Sequence, residues 1–125
     1  MTTRAQLIAK VNRQLKDAEV LQTIAPTTAN GTDNVAIGQC ALVNNITGCN
    51  NLAIGLSALS NATTVRHNIA VGYSSQLMNV SGFGNIAFGC NSLKNNTTGA
   101  QNIAIGSNSG SSMSYGGCNI GIGVG

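Results

Sequence analysis

The chain has no tryptophan, one proline and one histidine in 125 residues, and only 3% aromatic and 7% charged side chains. Cores of ordinary thickness are filled by large side chains, and two Tyr and two Phe supply few of them. The acids are scarcer still. Asp17, Glu19 and Asp33 all precede residue 34, so the rest of the chain has no carboxylate pair for acid–base work. His67 stands alone, and no nucleophile–base pair or zinc spacing accompanies it. The expectation is a non-enzymatic protein with no cofactor and no metal site. After residue 34 the only basic residues are Arg66 and Lys94, too few for a nucleic-acid surface. Lys10, Arg13 and Lys16 break any apolar run near the start, so neither a signal peptide nor a membrane span is expected.

What is present is apolar and small. The apolar share is 42%, mostly Ala, Ile, Val and Leu, with 16 Gly, which argues against disorder and for thin, regular layers. That share is organised by one motif. Asn34-Val35-Ala36-Ile37-Gly38 returns with Asn at 51, 68, 85, 102 and 119, always 17 residues on. Repetition at a fixed interval means one unit stacked on itself. The Asn of each repeat is taken as position 1. The prediction is an all-β parallel β-roll or β-solenoid of 17-residue coils over 34–125, each coil with two short strands and two turns.

Stacking would align Asn34, Asn51, Asn68, Asn85, Asn102 and Asn119 into an amide ladder. Gly38, Gly55, Gly72, Gly89, Gly106 and Gly123 would allow a turn at position 5. Each strand is apolar on both faces. One face, with residues such as Leu52 and Ile54, would fill the coil. The other, Ala36, Ala53, Ala70, Ala87 and Ala104, is uniformly small, and a monomer would leave it in water. It is therefore expected to be a homotrimer interface. A second apolar spot falls at positions 8 and 9 (Ala41-Leu42, Ala58-Leu59); in the third repeat the Leu moves to position 10, Leu77. The recurrent Asn, Thr and Gly that follow are turn residues. They create five Asn-x-Ser/Thr sequons, at Asn45, Asn61, Asn79, Asn95 and Asn96, read as turn chemistry rather than glycosylation.

The four cysteines lie at positions 7, 16, 6 and 17 (Cys40, Cys49, Cys90, Cys118). Coils about 4.8 Å apart would separate similar positions by about three or four rungs, too far for a disulfide. Free thiols are expected, which suits a reducing cytoplasm.

Residues 1–25 read as a separate helical segment, and 26–33, with the only proline, as a linker. Thr2 or Thr3 can cap the helix. Ile8, Val11, Leu15 and Ala18 are spaced as a short coiled-coil seam, so the segment is expected to anchor the protein or help it trimerise.

The sixfold N-[VLI]-A-[IVF]-G pattern, followed by Ala or Ser and Leu, resembles the head repeat of trimeric autotransporter adhesins and related repeats of bacteriophage tail fibres and virion spikes. The resemblance covers about three quarters of the chain. It implies a left-handed roll with three chains side by side and the small-residue face on the three-fold axis. With no export signal or membrane-anchor barrel, it points to a phage-type particle assembled in the host cytoplasm rather than to bacterial surface display. The expected role is a short trimeric spike or tail-fibre-like virion component. Its partners would be another virion protein at the N-terminal helix, with the C-terminal rung covered either by its own symmetry mates or by another protein that continues the stack. The alternative is an adhesin tip that contacts a host receptor or glycan. Arg66, His67, Tyr73, Phe83 and Tyr115 depart from the repeat consensus and are its candidate ligand contacts.

Overall fold

The structure, a computed structural model, describes residues 3–8 and 31–125. Six three-residue strands follow one another: β1 (Val35–Ile37), β2 (Leu52–Ile54), β3 (Ile69–Val71), β4 (Ile86–Phe88), β5 (Ile103–Ile105) and β6 (Ile120–Ile122). They form one parallel sheet in chain order, each strand pairing with the next in a register offset of 17 residues. The fold is a parallel β-solenoid of about five turns.

The second strand expected in each coil is absent. Positions 5 to 12 instead form a chain of tight turns. In the second coil the amides of Ala58, Ser60 and Ala62 donate to the carbonyls of Gly55, Ser57 and Leu59, each three residues back. Such turns require left-handed backbone at alternate positions, and Ser57 and Leu59 have φ of 60° and 52°. The same conformation recurs at Cys40 and Leu42, Ser74 and Gln76, and Asn91 and Leu93. It costs an L-residue about 1–2 kcal/mol. The stack offsets that cost, because these amides bond neighbouring coils: Leu59 N–H donates to Ser75 O at 3.0 Å and Ser57 N–H to Gln39 O at 2.9 Å.

The two faces of the strand are the reverse of expectation. Ala36, Ala53, Ala70, Ala87 and Ala104 are buried inside the single chain, with at most 1% of their surface exposed. They have no free face to offer another subunit. The large residues at positions 2 and 4 point out, half-buried or exposed. The reason is the width of the coil. Positions 1 and 3 share a face, and the buried Asn at position 1 turns that face inward. The interior then holds one methyl opposite one leucine. Ala41, Leu42, Ala58, Leu59, Ala62 and Val65 complete this core in the first two coils.

Further along, the interior becomes polar. Gln76, not Leu77, takes the interior slot at position 9, so the register is unbroken. Its Nε2 donates to Ile69 O at 2.8 Å, and its Oε1 accepts from Asn79 Nδ2 at 2.9 Å. At position 8 the hydroxyls of Ser92 and Ser109 each donate at 3.0 Å to the mid-strand carbonyl of the next coil, Ala104 O and Gly121 O. Where Gly110 leaves position 9 without a side chain, Met113 packs into the space beside Leu93.

The asparagine ladder links the coils and closes each one. Asn68 Oδ1 accepts the Asn85 backbone N–H at 2.8 Å, and Asn85 Oδ1 accepts that of Asn102 at 3.0 Å. Asn85 Nδ2 donates across its own coil to Gly99 O at 2.7 Å, fourteen residues away. Asn34, Asn51, Asn68 and Asn102 make the same closing bond to Gly48, Val65, Gly82 and Gly116.

At the start of the chain, residues 4–8 are helical. Thr3 is the cap: its Oγ1 accepts from Gln6 N–H at 3.1 Å, and Gln6 Oε1 accepts from Thr3 N–H at 2.9 Å. This reciprocal pair is a capping box. Ile8 is exposed; Val11, Leu15 and Ala18 lie outside the described residues, as does most of the linker.

Two substitutions test these constraints. Asn85→Ala strands the buried Asn102 N–H and leaves the Gly99 carbonyl with Asn96 Nδ2 as its remaining donor, so a loss of about 1–3 kcal/mol is expected. Asn95→Ala, on the exposed turn, should cost less than about 1 kcal/mol; denaturant melts of both variants check the contrast. At Gly72, φ is 131° and a Cβ would lie 2.6 Å from Gly89 O. Gly72→Ala should therefore cost at least about 1–3 kcal/mol in the same melts.

Candidate interaction surfaces

The side chains at positions 2 and 4 form a continuous apolar stripe along the described solenoid. Val35, Leu52, Ile69, Ile86, Ile103 and Ile120 make one column; Ile37, Ile54, Val71, Phe88, Ile105 and Ile122 make the other. Strand spacing makes the stripe about 24 Å long, with its columns about 7 Å apart. No charged residue interrupts it. Exposure rises at the last rung, to 72% at Ile120 and 75% at Ile122. The alternation itself was the available signal. The sequence reading assigned the two faces the wrong way because it took the larger side chains to be the core.

The five candidate ligand contacts do not form one cluster. Arg66 and Phe83 occupy position 16 in consecutive coils, with their backbones paired in parallel; Cys49 precedes them in the same column. His67 follows Arg66 at position 17 with φ of 58°. These three are therefore neighbours on one edge, all exposed. Tyr73 lies at position 6, just after its strand, and Tyr115 at position 14 two coils beyond Phe83; both are exposed as well.

The sequons separate by burial. Asn45, Asn79 and Asn96 are buried and hold turns. Gly48 N–H donates to Asn45 Oδ1 at 2.9 Å and Gly82 N–H to Asn79 Oδ1 at 2.7 Å. Asn61 and Asn95 lie on the outer turn, and Asn95 Nδ2 donates to Ser111 O at 2.8 Å.

Nothing on the surface assembles a reactive set. Among the described residues no three His, Cys, Asp or Glu side chains gather as metal ligands, and no helix is long and apolar enough to cross a membrane. An open groove of about 270 Å³ lies beside Gly110, lined by Asn108, Ser111, Ser112, Met113 and Gly125, with no titratable side chain. All four cysteines are free: Cys40, Cys90 and Cys118 are exposed and Cys49 is half-buried. Thiol titration of the native protein should show three fast-reacting groups and one slower, all four reacting at one rate after denaturation.

No protein-family model, curated protein or solved structure matches the chain.

Proposed function

We propose that the protein is a non-enzymatic structural module of a virion, a short trimeric spike or tail-fibre-like rod anchored through its N-terminal segment. The observation that supports this reading is the uninterrupted stripe of Ile, Val, Leu and Phe on the outside of a narrow, regular rod. A soluble monomer rarely leaves such a contiguous patch in water. The trimer interface is this stripe rather than the alanine column.

The stripe's two columns fit a three-fold arrangement, and the choice of three chains over two rests on the resemblance to trimeric heads. Two stripes about 24 Å by 10 Å, set face to face, would bury roughly 500 Å², about half of what a specific interface needs. Around a three-fold axis each chain has two neighbours, and the columns at positions 2 and 4 can serve one each. The resemblance to adhesin heads and phage spikes supports three chains and a left-handed winding, although it would put the small-residue face on the axis, and here those alanines are buried within the chain. A neighbouring virion protein would then dock on the N-terminal segment. Assembly would take place in the host cytoplasm.

Sedimentation equilibrium tests the reading. The wild-type protein should run at three times the chain mass at micromolar concentration. Ile69→Lys, on the outer face, should run as a monomer with its β-type circular dichroism retained. A wild-type monomer would remove the stripe from the argument and the spike with it.

A further inference from the structure

We propose that Arg66 and Phe83, with His67 beside them, form a binding site for a carboxylate-bearing saccharide on the turn edge of the second and third coils. The biological ligand rests on the spike reading above; the site rests on its own geometry.

The backbone under the site is fixed. Gly84 N–H donates to Arg66 O at 3.1 Å, and Gln101 N–H donates to Phe83 O at 2.9 Å. The two residues are thus held one rung apart, about 4.8 Å. The preceding residues, Val65 and Gly82, are buried, so the neighbouring position 16 faces out. Cys49, Ala100 and Gly117 fill this column elsewhere, none of them charged or aromatic.

Both side chains are exposed. Asp33 is the one carboxylate side chain among the described residues, and it precedes the first coil, two rungs from His67 at the same repeat position. Arg66 makes no ion pair among the described residues. Phe83 keeps 48% of its surface in water. A guanidinium offers a planar fork that matches a carboxylate in bidentate geometry. A phenyl ring offers an apolar face for the C–H face of a pyranose. Exposed hydroxyls and amides stand around the pair, with Thr64 and Ser81 at position 14 and Asn50 and Gln101 at position 17. These supply the donors and acceptors that sugar hydroxyls need.

The same features disfavour other ligands. A polyphosphate or nucleic acid calls for several cations, and the only other basic side chain of the solenoid, Lys94, lies at position 10. A peptide helix calls for a groove, and this edge is flat turn structure. A site this shallow binds weakly by itself, and three copies on one rod would raise its avidity.

The test is binding of the full chain to immobilised polygalacturonate and polysialate, each compared with its carboxyl-reduced form, with dextran and with dextran sulfate. Wild type should bind at least one of the two carboxylated polymers and lose binding when that polymer's carboxyls are reduced. Arg66→Gln and Phe83→Ser should each weaken binding by about tenfold or more. Lys94→Gln should change it by less than about twofold. Circular dichroism of the variants checks that each is folded. Absence of wild-type binding to both carboxylated polymers overturns the proposal, as does an unchanged Arg66→Gln. An equal loss in Lys94→Gln, or equally tight binding to dextran sulfate, would show bulk charge attraction and also overturns it. Sedimentation of the same samples separates the two readings: a trimer that binds no carboxylated glycan sinks the site alone, and a monomer that binds sinks the spike alone.

Discussion

A solenoid this thin depends on satisfying its backbone without a thick core, and the side-chain amide at position 1 is where that is achieved. Each buried Asn oxygen accepts the backbone N–H of the Asn one coil on, while its nitrogen donates to a carbonyl at the far end of its own coil. One group therefore ties rung to rung and closes the rung as well. Buried amides and carbonyls left unpaired would cost more than a core of single methyl groups can return. The 17-residue interval follows: an inserted residue would have to bulge out of its turn or move the next Asn out of reach of its partner.

The same constraint explains the turns. Residues such as Leu42, Leu59 and Leu93 sit in left-handed backbone, which leucine ordinarily avoids. They are held there because their side chains fill the narrow interior and their amides bond the next coil. When the interior changes character, the backbone does not. Gln76 adopts the leucine conformation with φ of 49° and replaces apolar contact with hydrogen bonds inside the coil. Met113 fills the gap opposite Gly110 from another position. The backbone is thus the invariant, and the core adapts to it.

With the interior filled by Asn and Ala from the strand and by Leu from the turns, the larger aliphatic side chains of the strand have no place but the outside. The apolar stripe is a consequence of the coil's small bore, and it is the surface we propose for self-association. The turn edges carry the residues that differ from coil to coil, including the adjacent Arg66 and Phe83. In the proposed reading the uniform apolar stripe would serve assembly and the varied turn edge recognition, as loops on rigid scaffolds commonly carry function.

The sequence by itself determined the period, the parallel stacking, the asparagine ladder and the glycine at position 5, because each depends on identical residues meeting their own copies one coil away. The free thiols and the turn role of Asn45 and Asn79 were legible for the same reason. The tertiary structure decided which strand face is inside. Alternation shows that Ala53 opposes Leu52 and Ile54 but carries no information on the width of the coil, and that width admits only the methyl. It also decided that positions 5 to 12 are turns rather than a second strand, since left-handed φ at Ser57 and Leu59 is stabilised by bonds to coils 17 residues away. The neighbourhood of Arg66 and Phe83 is tertiary in the same sense: the pair is adjacent only because parallel stacking brings position 16 of one coil beside position 16 of the next.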